Sequence, residues 1–465
     1  MNKIYLDNSA TTAMDPEVIR KMNEAFASFG NPSSLHSFGQ EARSLVDQSR
    51  DATAQFLNCK PTEVIFTSGG SESDNLAIRG IVNSIQITDN SKPHVITSAI
   101  EHHAVLHTVQ ELEKEGKIEA SYVKPGKNGV VSVSDIDEAI RPNTILVSIM
   151  YVNNETGCIQ PIREIGKKIE RINSLRIKNY ELRIKQKDYL GSPGHGLRLP
   201  EDDKGRRIYF HTDAVQASEF LNMDTKYLHV DLLTLTAHKI HGPKGTGVLF
   251  IKKGTLLSPQ ITGGEHEFRL RAGTENVASI AGLATAIEEI SKSKLQISNK
   301  LQNKNYKKGA KESVIPAKAG IQSWIPDPFG LAQGGQVRDD TPGKVAKLRD
   351  KLERFILKNI PETYLNGDKD LRAPHITNIS FKNAEGEAII LNLDFLGIAV
   401  SSGSACTARS LESSHVLTAM DLPHELAHGA IRFSLSKYTT AEEIDKVCEV
   451  LPGIISKLRQ MSPFS

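Results

Sequence analysis

The chain has 465 residues, long enough for two domains with a sizeable core, and its 57 Lys and Arg nearly balance 55 Asp and Glu at a net +2. That balance excludes a globally basic nucleic-acid binder and an acidic solvating chain. The start lacks the apolar core and cleavage site of a secretory signal, no apolar run approaches membrane-spanning length, and four cysteines at 59, 158, 406 and 448 are too sparse for a disulfide framework and too dispersed for a zinc pattern, so a cytoplasmic protein with reduced thiols and no membrane contact is expected.

Ile4 to Asp7 reads as a short strand running into a polar turn. Asp15 and Pro16 open a helix, with Asp as N-cap and Pro at the first helical position. Gly30 to Ser34 is a turn, followed by a helix from about 38 to 56. Residues 63–67 form a buried strand that meets Ser68, Gly69 and Gly70, and a helix starts near Ser71 to Ser73. Free N–H groups at such a helix start make a phosphate site, and Ser71 adds a hydroxyl; a plain serine-capped turn has the same pattern. A strand over 94–98 ends near Glu101, His102 and His103, and open α/β sheets bind ligands beyond such ends. An imidazole there can stack on a pyridine ring. It could also ligate a metal, but no carboxylate or cysteine stands at matching spacing, so no metal is expected. The apolar run 144–150 suits a strand buried on both faces, and Asn153 and Asn154 follow in a turn. A helix runs from Ile162 to about Ile172. Residues 173–206, rich in Lys and Arg early and in Gly, Pro and Asp later, are a surface insertion, either a helix extension or a mobile loop.

The next strand ends at Asp213, with Gln216 three residues on, and another runs from Asp231 to Thr236. A turn with Lys239 near its tip follows. Gly242, Pro243, Gly245 and Gly247 then lead into a strand to Ile251, giving strand, tight loop, strand. Lys239, flanked by His238 and His241, can lose its proton and attack a carbonyl; alone, it also reads as a solvated lysine in a hairpin. Residues 263–276 are a polar glycine loop full of donors. Val277, Ile280, Leu283, Ala286, Ile287 and Ile290 recur at helical spacing, which predicts a long helix from 276 to about 300. The pattern fails near 303. Residues 313–343, with the only tryptophan, Trp324, resemble a translated repetitive genomic element; they predict a surface excursion, or a docking segment for a partner. Helical spacing returns at Val345, Leu348, Leu352, Phe355 and Ile356. A strand over 376–381 and a helix from 385 to about 393 lead to a small-residue loop with Cys406 at its centre. A free cysteine is either buried and inert or a nucleophile. Arg432 sits in a strand over 428–435, and its fork suits a carboxylate, whether of a ligand or of a structural ion pair. A helix from 439 to about 458, bent or interrupted at Pro452 and Gly453, closes the chain.

The segments Asp213 to Gln216 (DAVQ), Thr236 to Lys239 (TAHK), Gly242 to Gly245 (GPKG), Gly30 to His36 (GNPSS-x-H) and Ser401 to Cys406 (SSGSAC) resemble the class V aminotransferases. Within them they are similar to cysteine desulfurases of the NifS/IscS type. The resemblance implies an α/β fold of the pyridoxal phosphate (PLP)-dependent transferase, aspartate aminotransferase-like kind. A large PLP-binding domain, 15–294, would hold a mostly parallel mixed sheet covered by helices, with an insertion at about 173–206. A smaller α+β domain, 1–14 and 295–465, would carry an insertion at about 303–343.

It also implies roles. Lys239 carries PLP as a Schiff base, and Asp213 keeps the ring nitrogen protonated. His102 stacks on the ring and moves protons, while His103 faces solvent. Asn154 and Gln216 meet the phenolic oxygen, with Asn154 also near substrate. Gly70, Ser71, Thr236 and His238 hold the phosphate, where Ser71 replaces the family's usual threonine and Thr236-Ala237 its usual serine–glycine. Thr274 reaches the partner's phosphate across a homodimer. Arg432 grips the α-carboxylate of L-cysteine, and Cys406 takes its sulfur as a persulfide, leaving alanine. The acceptor would be an iron–sulfur scaffold or a transfer-RNA thiolation relay. The long loop from Ser401 to Leu411 favours the housekeeping branch. A selenocysteine lyase or related PLP lyase shares the fold, and a non-catalytic sulfur-relay scaffold is the competing class.

Overall fold

The computed structural model describes residues 3–85, 92–189, 207–306, 341–403 and 413–461. Among the described residues twelve strands follow in chain order: β1 (Ile4–Tyr5), β2 (Val64–Thr67), β3 (His94–Ser98), β4 (Glu119–Val123), β5 (Thr144–Ser148), β6 (Tyr209–Asp213), β7 (Leu232–Thr236), β8 (Gly247–Ile251), β9 (Thr363–Leu365), β10 (Ile376–Phe381), β11 (Ile398–Ala399) and β12 (Ala430–Ser434).

The main sheet has seven strands in the order β2-β8-β7-β6-β5-β3-β4. β4, β3, β5, β6 and β7 pair in parallel, and β8 runs antiparallel to both its neighbours. The carboxyl ends of β2, β3, β5, β6 and β7 therefore share one edge. Every residue of β2, β3, β5, β6, β7 and β8 is buried, which is why these strands read as apolar runs rather than alternations. Alternate residues still divide between two cores. Ile65, Leu146 and Leu249 pack with Ile78, Ile81, Val105 and Val109. Phe66, Val147 and Val248 pack with Val46, Leu57, Leu283 and Ile287 on the other face. This is the mixed, mostly parallel sheet between helices that the PLP-dependent fold requires.

A third core lies under the antiparallel sheet β12-β10-β9. There Leu352 and Ile356, from the helix Thr341–Asn359, meet Val447, Leu451 and Ile455, from the helix Ala441–Met461. Ile4 and Leu6 join the same core. β1 pairs in parallel with β11, and the N–H of Ser434 donates to the carbonyl of Leu6 at 2.8 Å. The first segment then crosses to the main sheet, where the N–H of Thr12 donates to the carbonyl of His238 at 2.9 Å. Residues 7–12 thus run from this core to the main sheet.

Several boundaries differ from expectation. The helix that starts at Ile162 extends to Tyr189, so the first part of the expected insertion takes the helix-extension alternative. Its added turns are polar but rich in good helix formers, which an apolar-period reading undercounts. The helix from Val277 extends to Tyr306 for the same reason. His428 ends a short helix, His424–His428, and the strand begins only at Ala430. The last helix runs through Pro452 without a break, because Leu451 and Ile455 on either side keep its apolar face buried. No helix among the described residues is long and apolar enough to cross a membrane.

Candidate active site

Asp213 ends β6, Thr236 ends β7, and Thr67 ends β2 just before Gly69 and Gly70. His102 follows β3, and Asn154 follows β5. All five segments meet at the shared carboxyl edge, where open α/β sheets bind ligands.

Asp213 is buried and accepts from the N–H of Val215 at 2.9 Å. Burial pushes its carboxyl up to about 6, against the lowering pull of that N–H and of the Lys239 charge. His102 caps the helix His103–Lys114, and its Nδ1 accepts from the N–H of Ala104 at 3.1 Å. Burial first, and then the Lys239 charge, hold this imidazole down to about 4. It is therefore neutral near pH 7, with its proton on Nε2. Lys239 ends a short 3-10 turn, Ala237–Lys239. Its Nζ donates to the carbonyl of Ser9, and to that of Ala10 at 2.8 Å. Gln216 Nε2 donates to the same Ser9 carbonyl at 2.9 Å. The first segment is thus clamped over the lysine.

The helix Gly70–Ser84 starts without a side-chain cap, since its N-cap is Gly69 at φ 152°. A Cβ on Gly70 would come within 3.2 Å of Val215 Cγ2 and 3.9 Å of Thr236 Cβ. The positive end of the helix therefore packs directly on the Asp213 turn and on Thr236. Ser71 is exposed in the first turn. Thr236 Oγ1 donates to the carbonyl of Thr246 at 3.0 Å. His238 Nδ1 lies 3.2 Å from Thr11 Oγ1, and burial with the Lys239 charge holds that ring to about 4.

Arg432, on β12, donates to the carbonyl of Asn154 at 2.9 Å and to Asp7 at 2.8 Å. Thr274 is exposed and is not brought to this cluster within one chain. Cys406 lies outside the described residues. The stems beside it do converge: Ser414 Oγ donates to the buried carboxylate of Glu155, and a Cβ on Gly403 would overlap Glu155 Oε2. His103 is half-buried rather than solvent-facing, its ring 4.6 Å from His107 and 4.7 Å from His415. Burial disfavours the thiolates of the other three cysteines, pushing Cys59 up to about 12 and Cys448 to about 11, and raising Cys158.

Sequence spacing missed Asp74. Folding brings a polar atom each of Asp74, His102 and Asp213 within 4.8 Å of one another, although neither carboxylate stands at a metal-ligand spacing from His102 in the sequence. The available signal was an acidic residue four positions after Gly70, one helical turn in and on the same face. Asp74 Oδ1 has no hydrogen-bond partner among the described residues. Two buried carboxyls with an unpartnered oxygen call for one positive group. The uncapped start of the same helix calls for an anion, and the Lys239 amine is near enough for its charge to act on Asp213 and His102. A protonated pyridine bearing a phosphate and a carbonyl fits that donor set.

The family model for aminotransferase class-V matches residues 4–176, 201–314 and 343–447. The cysteine desulfurase IscS of Clostridium botulinum (strain Hall) is 42% identical over 467 residues, covering 100% of this chain and 97% of that protein. Among solved structures, a NifS-like protein is 30% identical at a TM-score of 0.74, covering 98% of this chain and 100% of that one. SspA in complex with cysteine is 29% identical at a TM-score of 0.66, covering 94% and 100%. The chain belongs to the class-V aminotransferase family and, within it, to the NifS/IscS-type cysteine desulfurases.

Proposed function

We infer that this protein removes sulfur from L-cysteine, giving L-alanine and a persulfide on Cys406, with PLP as its cofactor. The observation that carries the reading is the meeting of Lys239, Asp213 and His102 at the sheet edge, in a chain 42% identical throughout to a cysteine desulfurase. That SspA has been solved with cysteine supports the substrate class.

When bound, PLP supplies an electron sink for charge that develops on the substrate carbons. Lys239 supplies the amine that holds it and a base that moves protons. Asp213 offers the carboxylate that keeps a ring nitrogen protonated. His102, neutral with a proton on Nε2, offers a flat face and one donor. Gln216 and Asn154 orient the phenolic oxygen. Gly70, Ser71, Thr236 and His238 hold the phosphate, and Thr274 reaches the phosphate of a second subunit in a homodimer. Arg432 binds the substrate carboxylate. The Cys406 thiolate attacks the substrate sulfur. An S–S bond forms, the C–S bond breaks with its electron pair staying on carbon, and a proton delivered there completes alanine. The terminal sulfur then passes to an acceptor protein, an iron–sulfur scaffold or a transfer-RNA thiolation relay, in the cytoplasm.

The test is the purified protein with PLP, L-cysteine and dithiothreitol. The cofactor absorbance appears, and alanine and sulfide form in equal amounts. Cys406→Ser keeps the absorbance and loses sulfide release. Lys239→Ala loses the absorbance that borohydride otherwise fixes to the protein. A wild-type protein that stays colourless with added PLP overturns the reading.

A further inference from the structure

Asp74 is buried in the helix Gly70–Ser84, and apart from the cofactor it has little to balance a charge. Its Oδ1 lacks a hydrogen-bond partner among the described residues, and the His211 ring stands 3.6 Å away. That ring is no cation. Burial holds it neutral down to about 3, while its nitrogens face Ser148 Oγ at 2.8 Å and Thr234 Oγ1 at 3.1 Å. Glu101, a third buried acid, also bears on Asp74, leaving only the Thr234 hydroxyl to favour its ion. His102, the remaining neighbour, is held neutral as well.

Two buried carboxyls within 4.8 Å cannot both ionise without a cation between them, so one keeps a proton. Their surroundings decide which. Asp213 accepts the Val215 N–H at 2.9 Å and feels the Lys239 charge, and both favour its anion. Asp74 has one hydroxyl in its favour and two acids against it. Burial raises both groups, so the hydrogen bonds and charges around each decide which keeps the proton.

We propose that Asp74 is a positioning residue that carries the proton of this pair, leaving Asp213 as the single negative charge facing the ring nitrogen. The proposal rests on the cofactor reading above. A neutral Asp74 can turn its O–H toward Asp213 and support that anion, and the protonated ring then meets one carboxylate rather than two. A neutral residue of the same shape should replace it.

The test compares wild type, Asp74→Asn and Asp74→Ala. In cofactor-free protein, the infrared difference between wild type and Asp74→Asn shows the carbonyl stretch of a protonated carboxyl, lost with the substitution. Loaded with PLP, Asp74→Asn keeps the wild-type absorbance and its pH profile. Asp74→Ala shifts that profile and loses about tenfold or more in turnover, the size of one lost hydrogen bond to a charged group. If the infrared difference shows a lost ionised carboxylate, or if Asn is as damaging as Ala, the proposal falls. If wild type never takes up PLP, the functional reading falls instead, and the infrared comparison still reports where the proton sits.

Discussion

Arg432 donates through Nη2 to Oδ1 of Asp7 at 2.8 Å, tying β12 to the turn after β1. Its Nη1 donates to the carbonyl of Asn154, and its Nε has no partner among the described residues. A guanidinium so placed is anchored yet keeps donors for an incoming carboxylate. Arg432→Lys keeps the charge and loses the fork. The KM for L-cysteine is expected to rise about tenfold, or ~1.4 kcal/mol, with kcat changed less. Cysteamine, which lacks the carboxylate, should be turned over alike by both proteins. Steady-state kinetics on the two substrates check this. A solely structural arginine would lower the melting temperature and leave the two substrates equally affected.

The edge that carries the site was legible because apolar runs buried on both faces end abruptly at Thr67, Asp213 and Thr236. In a parallel sheet those ends fall together. The clamp of Ser9 on Lys239 and Gln216 was not legible. It depends on β1 pairing with β11 nearly 400 residues away, and no local period encodes such a contact. Asp74 was hidden for a related reason. Its helix face is visible in the sequence, but that this face meets Asp213 follows only from how the helix lies across β6 and β7. The choice of helix extension over loop up to Tyr189, and the helix end at Tyr306, were not legible because polar helix formers carry no apolar stripe.

Glu155 joins the two stems of the segment that bears Cys406. Ser414 Oγ donates to its Oε2, and a Cβ on Gly403 would lie 2.1 Å from that same oxygen. Glu155 is 2% exposed, and its Oε2 is held by the Ser414 hydroxyl. Gly403→Ala is therefore expected to displace the stem or to break the Ser414–Glu155 hydrogen bond that holds it. Bound PLP should be unaffected, while persulfide formation slows by up to about a hundredfold, the cost of misplacing a reacting group by an ångström. Single-turnover mass spectrometry of Cys406 measures it, and an unchanged rate would separate the stems from thiol placement.

Glu101 sets a pH dependence of stability. Its Oε1 accepts from Ser98 Oγ and, at 3.0 Å, from the Met150 N–H, while Oε2 has no partner among the described residues. Burial pushes this carboxyl from 4.5 up to about 8. Between those values the folded protein holds a proton that the unfolded chain has released. The resulting stabilisation of the folded state relative to a fully ionised group is complete below about 4.5 and lost as the pH rises through 8. Each unit of separation is worth about 1.4 kcal/mol, so the total change across the interval is several kcal/mol at most. Glu101→Gln should flatten the fall in melting temperature between about pH 5 and pH 8. Parallel slopes for variant and wild type would show that Glu101 is ionised throughout.

Arg50 and Glu267 form a two-point ion pair at 2.7 and 2.8 Å, with side chains only 5% and 2% exposed. Arg50 also donates to the carbonyl of Val64 at 2.6 Å, and Glu267 accepts the N–H of Phe66 at 2.8 Å. The pair pins a loop in which Glu267, Phe268 and Arg269 hold φ of 44°, 56° and 69° in succession. Non-glycine residues avoid that region, so the loop needs such an anchor. Glu267→Ala leaves a buried guanidinium unpaired and the Phe66 N–H without its acceptor, a loss of about 3–5 kcal/mol. Replacing both partners, as Arg50→Met with Glu267→Leu, should cost less than the two single changes added, since no charge is stranded. Denaturant unfolding of the four proteins gives the coupling. The same loop carries Thr274, so Glu267→Ala should also weaken any dimer seen by sedimentation. Single changes costing less than about 1 kcal/mol would place the pair with ordinary surface bridges and leave the loop's backbone strain to be held elsewhere.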